Sequence, residues 1–332
     1  MISVVMATYN GENFIEKQLI SILNQTLKAD EVLIADDCST DNTAKIIQDF
    51  IMKNDLINWK FEVNKSNLGY RRNFYNLLKK TQGDIIFLAD QDDEWYNQKI
   101  EKMVDTIEKN KNIKTLCCTV DLIDAQSREI KLPKLPNLYN SNFTFSEKTL
   151  KDINYFGIKE IMASNISPGC SMCITKEINR EFLETYDFDL PHDWHMTLIS
   201  SLFDKGCCLL NIPLIGYRLH SNNAIGSTSG GGIRGSLRNF RRKEKIVEFE
   251  GRIKTFDKLR DYFKLDSGDI SYVREYTNAR LNFYKKPNIA TLRRLRSYKE
   301  YWITSKKKGR AFDLLVALHI DWILYMLYGE KR

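Results

Sequence analysis

Residues 85–93 read Ile85-Ile86-Phe87-Leu88-Ala89-Asp90-Gln91-Asp92-Asp93, a continuous apolar run that stops at three carboxylates within four residues. Such a run, introduced by the turn residues Gly83-Asp84, is typical of a parallel strand buried on both faces. Ligands of open parallel sheets bind beyond the carboxyl ends of the strands. The acidic cluster 90–93 is therefore predicted to border a binding site.

Three more strand-like segments precede this run and alternate with helical patterns. The strands are predicted at 2–6, 31–35 and 59–63, and the helices at 14–23, 44–52 and 72–80. This alternation predicts a doubly wound, mostly parallel α/β sheet. Farther along, the patterns predict strands at 115–122 and 207–210, a surface loop at 131–142, and helices over 236–264 and 270–328.

Two other polar clusters follow predicted strands of the same sheet: Thr8-Tyr9-Asn10 after the first and Asp36-Asp37 after the second. Carboxylates this close together repel one another unless a cation or a hydrogen-bond donor lies between them. Oxygen-rich clusters suit Mg²⁺ or Mn²⁺. A solvated acidic turn would explain one Asp-rich loop, whereas two such clusters at strand ends of one sheet favour a divalent-cation site.

Several classes of protein are excluded or disfavoured by composition and motifs. The chain is 43% hydrophobic and 28% charged over 332 residues, which is typical of a globular protein. It lacks the glycine patterns of dinucleotide-binding and P-loop enzymes, so a diphosphate is expected to be held through a metal. The seven cysteines form no disulfide or zinc pattern, and Met1 runs straight into a strand, which predicts no secretory leader and a cytoplasmic location.

Charge divides the chain into two regions. Residues 226–332 carry a net charge of +13, and residues 1–225 carry −6. The glycine-rich segment 226–232 lies where the sign changes, so we predict a catalytic domain at 1–225 and a basic, mainly helical region at 226–332. A basic region of this kind calls for an anionic partner, either a membrane surface or a nucleic acid.

The last apolar segment, 311–328, is near the length of a membrane span, but Asp313, His319 and Asp321 interrupt it. A transmembrane helix is therefore disfavoured. An interfacial helix with aromatic anchors, next to the basic cluster 306–310, fits the pattern better. A helix that packs in the core or in a dimer is the alternative.

The ordered motifs resemble family-2 glycosyltransferases with the GT-A fold. The matching segments are Val4–Gly11, Ser21–Thr26, Ala35–Asp41, Asn67–Gly69, Arg72–Phe74 and Leu88–Trp95. Segments at Pro168–Cys170, Pro191–Trp194 and Tyr217–Asn223 resemble the bacterial rhamnosyltransferase-like branch, which builds surface polysaccharides. Cys38 stands where the family usually has glycine, a difference that we interpret as a turn variant. Residues 235–332 match no general motif of the family.

The resemblance implies roles for residues at the donor side of the site. Thr8, Tyr9 and Asn10 would line the nucleotide pocket, and Asp37 would accept a hydrogen bond from the base. For Asn67, Gly69 and Arg72, donor binding and ordinary turn structure remain open alternatives.

The acidic cluster and a later segment would complete the donor site. Asp90, Asp92 and Asp93 would form the DxD-type cluster, with Asp92 and Asp93 contacting the ribose and the metal. Arg218 would counter the charge of the diphosphate. His220 would be a second metal ligand, although lone histidines are more often structural. The segment 226–232 would act as a hinge.

Inverting sugar transfer also needs a base on the acceptor hydroxyl, and the resemblance assigns that role to Asp193. The alternative is that Asp193 caps a helix. Gly169 and Trp194 would lie on the acceptor side, with core packing as the alternative for Trp194.

The resulting hypothesis is an inverting, Mn²⁺- or Mg²⁺-dependent glycosyltransferase that moves a sugar from a nucleotide-diphosphate donor to a surface-polysaccharide precursor. L-rhamnose from dTDP-rhamnose is the leading donor, and a UDP-hexose is the alternative. The acceptor is expected to be lipid-linked and the protein to lie on the inner face of the cell membrane, with a homodimer as the other use of the last helix. A nucleic-acid-binding protein and a phosphate-accepting receiver module are the rival hypotheses.

Overall fold

The computed structural model describes residues 1–135, 138–145, 149–220, 242–265, 267–305 and 307–322. The strands are β1 Ile2–Thr8, β2 Glu31–Asp36, β3 Trp59–Val63, β4 Ile85–Asp90, β5 Glu94–Trp95, β6 Thr115–Ile123, β7 Leu138–Tyr139, β8 Thr144–Phe145, β9 Ile153–Phe156, β10 Met172–Thr175 and β11 Cys207–Arg218. The helices before residue 220 are α1 Ile15–Leu23, α2 Thr43–Lys53, α3 Tyr70–Leu78, α4 Lys99–Lys109, α5 Ile158–Ala163, α6 Lys176–Thr185 and α7 His192–Ser200. The helices after it are α8 Arg242–Phe263, α9 Ser267–Lys285, α10 Ile289–Arg296, α11 Lys299–Thr304 and α12 Lys307–Ala317.

One large mixed sheet organises the molecule, with strand order β3-β2-β1-β4-β10-β6-β11-β5 and with β9 also paired to β11. The first four strands are parallel, so the carboxyl ends of β1, β2 and β4 meet at one edge. Strand β10 is antiparallel to both of its neighbours, β4 and β6. The predicted α/β fold with a mostly parallel sheet is confirmed.

The central strands are buried on both faces, as the continuous apolar runs predict. In β1 and β4, Val5 and Leu88 pack with one hydrophobic cluster, and Val4 and Phe87 pack with a second cluster on the opposite face. Each strand thus supplies apolar side chains to two layers. The polar residues that follow these strands are left at the rim of the sheet.

Strand β11 is longer than the sequence predicts. The pattern indicates a strand over 207–210, whereas β11 continues to Arg218 beside β6, with register shifts around Pro213. The irregular register hides the continuation from a period-two pattern. The extension matters because it brings Arg218 to the acidic turn after β4.

The C-terminal helices pack against the sheet region and against each other. Phe256 of α8 and Val273 of α9 belong to the same hydrophobic cluster as residues of α3, α6 and α7, whereas Phe283, Tyr301 and Phe312 belong to a cluster of their own. The predicted helix 270–328 is interrupted at 286–288, at 297–298 and after Thr304, and residues 323–328 and the glycine-rich segment 226–232 lie outside the described residues. Among the described helices, none has the length and apolar character needed to cross a bilayer.

Candidate active site at the carboxyl edge of the sheet

A cavity of about 780 Å³ opens at the carboxyl ends of β1, β2 and β4. Helix α3, the turn before β10 and the first residues of α7 form its other walls. The residues of the sequence hypothesis that line it are Thr8, Tyr9, Asn10, Asp37, Asn67, Gly69, Asp90, Asp92, Gly169, Asp193, Trp194 and His220. Arg72, Asp93 and Arg218 are not among its lining residues.

At one end of the cavity, Asp37 binds the segment that leads into α3. Its carboxylate, which is 3% exposed, accepts hydrogen bonds from the backbone N–H groups of Leu68 (2.8 Å) and Gly69 (2.7 Å) and from the Asn64 side chain (2.9 Å). A carboxylate has about four acceptor sites, so roughly one remains for a ligand. Gly69 has φ +78°, a conformation that favours glycine, and this explains the residue type in the turn.

Thr8 and Asn10 connect β1 to the loop after β2. The Thr8 hydroxyl donates to Asp36 (2.8 Å), which is fully buried, and Asp36 also accepts the Ser39 backbone N–H (2.8 Å). The Asn10 side chain accepts the Thr40 backbone N–H at 2.8 Å. Asp36 therefore orients the loop, while its neighbour Asp37 faces the cavity.

Tyr9 is fixed by a residue that the sequence hypothesis passes over. Gln91 accepts the Tyr9 backbone N–H (2.7 Å) and donates to the Tyr9 carbonyl (2.8 Å). A Cβ at Gly11 would lie 2.5 Å from the Gln91 amide, so a larger residue there would displace the Gln91 side chain from Tyr9. Gln91, within the acidic cluster 90–93, thus connects the carboxyl ends of β1 and β4.

The acidic turn contains unbalanced negative charge. Burial, followed by the charges of Asp92 and Asp193, raises the pKa of Asp90 to about 7. Burial, followed by the charges of Asp92 and Asp90, holds the pKa of Asp93 well above its usual range. One Asp93 carboxylate oxygen is buried with no hydrogen-bond partner among the described residues.

These groups fit a cation. The ligand atoms of Asp90, Asp93 and Cys170 lie within 4.8 Å of one another. On the cavity side, the Asp92 carboxylate lies 2.8 Å from His220 Nε2. A divalent ion would relieve the repulsion among the carboxylates and would satisfy the orphaned oxygen.

The structure places Arg218 beneath the acidic turn, and this corrects the expectation that it contacts a diphosphate. Its side chain is fully buried, and it donates to the carbonyls of Asp92 (2.7 Å) and Asp124 (2.5 Å) and to the carboxylate of Glu94. Its backbone N–H donates to Asp93 (2.9 Å). All three guanidinium nitrogens have protein partners, so Arg218 positions the turn.

Asp193 is the second residue of α7 and lies across the cavity from the acidic turn. Its carboxylate accepts the Trp194 backbone N–H (2.8 Å) and the Asn165 side-chain amide (2.9 Å). Burial raises the pKa of Asp193 to about 6. Pro191, rather than Asp193, occupies the cap position of the helix, so the capping alternative does not describe this residue.

Trp194 and Arg72 are placed mainly by packing. Trp194 is 7% exposed, donates its indole N–H to the Ile161 carbonyl (2.6 Å) and stacks under the Arg252 guanidinium (4.3 Å). Most of the Trp194 side chain is therefore packed in the core, which is the alternative that the sequence left open. Arg72 lies over the Phe188 ring at 4.5 Å and outside the cavity.

Sequence reasoning missed Gln91, Asn165 and His192, all of which line the cavity. Gln91 stands inside the acidic motif, and its position there was the available signal. Asn165 lies in an irregular segment 28 residues before its hydrogen-bond partner Asp193, and no local sequence pattern indicates that contact. His192 directly precedes Asp193, but no spacing in the sequence distinguishes it.

Comparisons with known proteins identify the family of the chain. Residues 3–168 match the family described as glycosyl transferase family 2. The dTDP-rhamnosyl transferase RfbG of Shigella flexneri is 31% identical over 234 residues, which cover 67% of this chain and 74% of that protein.

The chain belongs to glycosyl transferase family 2. Two solved structures share its fold at low sequence identity. Staphylococcus aureus TarS 1–349 in complex with UDP-GlcNAc has a TM-score of 0.58 at 14% identity and covers 99% of this chain and 92% of its own. The mannosyltransferase PcManGT of Pyrobaculum calidifontis, in complex with GDP-Man and Mn²⁺, has a TM-score of 0.53 at 15% identity and covers 99% and 88%.

Family membership identifies the chain as a nucleotide-sugar-dependent glycosyltransferase with the GT-A fold. The choice between a transferase, a nucleic-acid-binding protein and a receiver module is thereby decided in favour of the transferase.

Proposed function

We propose that this family 2 glycosyltransferase is inverting and metal-assisted, and that it transfers L-rhamnose from dTDP-L-rhamnose to a hydroxyl group of a surface-polysaccharide precursor. One observation carries the proposal: the Asp193 carboxylate and the acidic turn 90–93 open onto the same cavity. The charge of Asp193 is close enough to contribute to the raised pKa of Asp90. A base and a diphosphate site therefore share one pocket.

The nucleotide would lie against Thr8, Tyr9, Asn10 and Asp37, with Asn67 and Gly69 closing the same end of the cavity. The remaining acceptor site of Asp37 suits the ring N–H of a pyrimidine. Thymine and uracil both have this group, so a UDP-hexose is the alternative donor. The 31% identity to a dTDP-rhamnosyl transferase favours the rhamnosyl donor.

Asp92 and His220 would hold the divalent ion from the cavity side, with Asp90 and Asp93 behind them. Bound there, Mn²⁺ or Mg²⁺ would stabilise negative charge on the departing nucleotide. Arg218 keeps the turn in place through the carbonyl of Asp92. Asp193 would take the proton of the acceptor hydroxyl, and Asn165 holds its carboxylate in orientation.

A panel of nucleotide sugars tests this proposal. Transfer should occur with dTDP-L-rhamnose, should stop with EDTA and should return with Mn²⁺. Asp92→Ala should abolish transfer in a folded protein, whereas Asp105→Ala, on α4, should not. Full transfer by Asp92→Ala in the presence of EDTA would refute the metal-assisted mechanism, and transfer from UDP-hexoses alone would refute the rhamnosyl donor.

We also propose that the protein associates peripherally with the inner face of the cell membrane and acts on a lipid-linked acceptor. Leu314, Leu318 and Trp322 are 39%, 47% and 41% exposed near the C-terminal end of the described chain. They lie in the basic region, and basic residues near an anionic surface contribute about 1 kcal/mol each. Exposed apolar groups beside positive charge suit an anionic bilayer surface.

Vesicle sedimentation tests this second proposal. Changing Leu314, Leu318 and Trp322 together to serine should reduce binding to anionic vesicles, and salt should weaken binding of the unaltered chain. Ile57→Ser, which changes an exposed apolar residue of the sheet region, should leave binding unchanged. Equal binding by the triple variant and the unaltered chain would refute the membrane proposal. Loss of a dimer in the triple variant would assign this surface to self-association.

A further inference from the structure

His192 is the first residue of α7 and lies between the base Asp193 and helix α3. His192 is 5% exposed, and its ring stacks on Phe74 with ring centroids 4.3 Å apart. The edge of Tyr70 approaches it at 5.9 Å. The imidazole is therefore held in one orientation by aromatic neighbours, and it lines the cavity.

Neither ring nitrogen of His192 has a hydrogen-bond partner among the described residues. Leaving a buried polar group unpaired costs roughly 1–3 kcal/mol, so such groups call for an explanation. His195, one turn later in the same helix, offers a comparison: its Nδ1 also has no hydrogen-bond partner among the described residues, but its Nε2 bonds to Thr185 at 2.9 Å and it does not line the cavity.

Gly169 leaves the Nε2 edge of the His192 ring uncovered. A Cβ at Gly169 would lie 3.2 Å from His192 Nε2 and 3.3 Å from the Cβ of Asp193. The Gly169 backbone does not adopt a left-handed conformation, so glycine is needed here for the space it leaves and not for its backbone freedom. The glycine leaves room beside both residues at once.

The chemistry of the ring indicates which group would fill this room. Burial, with a contribution from the charge of Arg71, lowers the pKa of His192 to about 3, so the imidazole is neutral near neutral pH. A neutral imidazole has one N–H donor and one acceptor nitrogen. A sugar hydroxyl also donates and accepts, whereas an ionised phosphate only accepts.

We propose that His192 is a specificity-determining residue that hydrogen-bonds a hydroxyl group of a sugar ring bound beside Asp193. This inference rests on the proposed glycosyltransferase function. The ring belongs to the donor or to the acceptor, and the same hydrogen-bond chemistry serves either. A site built to bind a hydroxyl discriminates against analogues that lack it, because its own polar group is then left unpaired.

His192→Phe tests the proposal, since phenylalanine keeps the stack on Phe74 and removes both nitrogens. We expect kcat/KM to fall about tenfold or more for the substrate whose hydroxyl is bound. Separate KM values for donor and acceptor identify which substrate that is. The Kd for the free nucleotide should stay unchanged, and the melting temperature should not fall, because an unpaired polar group has been removed.

A deoxy analogue of that substrate supplies a second readout. Loss of the hydroxyl should reduce kcat/KM for the unaltered protein but have little further effect in His192→Phe. His195→Phe is the matched control: it should lower the melting temperature by removing the bond to Thr185, and it should leave the response to the analogue unaltered. Gly169→Ala should act like His192→Phe, because its methyl group covers the nitrogen.

Equal discrimination among deoxy analogues by His192→Phe and the unaltered protein would overturn the inference. If His192→Phe does not fold, Gly169→Ala decides the question by the same comparison, and an unchanged response overturns the inference. An unaltered protein that transfers no sugar from any nucleotide donor would refute the proposed function itself, which keeps the two failures distinct.

Discussion

Asp193 combines two features that a general base needs. Partial burial raises its pKa to about 6, and the hydrogen bonds from Asn165 and the Trp194 backbone hold its carboxylate in one orientation. A base is most effective when its pKa lies near the working pH while it remains mostly deprotonated. The environment of this residue is therefore consistent with the proposed role.

Asp193→Asn should reduce kcat by about 10²–10⁴-fold, the usual contribution of a positioned base. The asparagine oxygen can accept only one of the two hydrogen bonds that the carboxylate accepts from Asn165 and the Trp194 backbone, so the melting temperature should fall slightly, whereas the Kd for the nucleotide should not change. Kinetics at saturating donor, together with calorimetry of nucleotide binding, check this. A variant that keeps more than about a tenth of the kcat would argue against Asp193 as the base.

The pH dependence of transfer follows from the same carboxylate. The base acts in its deprotonated form, so kcat/KM should rise with pH through about 6 and then level off. Asn165→Ala removes a hydrogen bond that favours the charged form, so it should move this rise to higher pH. A pH profile that is flat from about 4 to 7 in both proteins would contradict the assignment.

Cys38 adopts φ +62°, a left-handed conformation that is costly for residues with a side chain. This explains why glycine is usual at the corresponding position of the family. Cys38→Gly should raise the free energy of unfolding by about 0.5–1 kcal/mol, as measured by urea denaturation. Cys38→Ala, which also removes the thiol but keeps the Cβ, should give no such gain; equal stabilisation by both variants would show that the backbone is not the cause.

Among the elements, helix α8 connects the basic C-terminal region to helix α7, which carries Asp193. Arg252 of α8 lies 4.3 Å from the Trp194 ring and pairs with Glu248, whose pKa is lowered to about 2 by the neighbouring positive charges despite its burial. Gly251, one residue earlier, allows close approach to Asp189. The helix that carries the proposed base is thus supported by contacts from across the predicted domain boundary.

Arg252→Met should therefore affect both stability and catalysis. We expect the free energy of unfolding to fall by about 1–3 kcal/mol and kcat to fall while the Kd for the nucleotide is unchanged, because α7 loses its support. Arg260→Met removes an exposed pair with Asp257 on the same helix and should change stability by less than about 1 kcal/mol. Loss of stability without any change in kcat would limit Arg252 to a structural role.

At the scale of the whole molecule, the C-terminal helices share their packing with the rest of the chain. Helix α12 contributes Phe312 and Val316 to a buried cluster, and its buried Asp313 accepts hydrogen bonds from Tyr284 (2.8 Å) and Arg280 (3.4 Å). One face of this helix is therefore buried in the core. Leu314, on the helix, and Leu318, just after its end, remain exposed.

Deleting residues 307–332 should consequently lower the melting temperature, because it exposes the apolar partners of Phe312 and leaves Arg280 without its carboxylate. Thermal unfolding of the truncated chain checks this. An unchanged melting temperature would show that α12 is dispensable for stability. The triple serine variant keeps the buried face of α12, so it separates membrane binding from folding.

Much of the site could be predicted from local sequence, for a physical reason. Continuous apolar runs require strands buried on two faces, and the carboxyl ends of parallel strands meet at one edge, so Thr8, Asp37, Asp90 and Asp92 come together once the strands are recognised. The α/β fold and this edge of the cavity depend on interactions that short segments already encode.

The tertiary structure alone decided what lies behind and across from that edge. Arg218 has the charge for a diphosphate, but β11 extends past its predicted end and carries the guanidinium beneath the acidic turn. His192 and His195 look alike in sequence, and only the packing of α7 against α3 turns one of them toward the cavity. Contacts between residues far apart in sequence depend on how whole elements pack, and no local pattern records that.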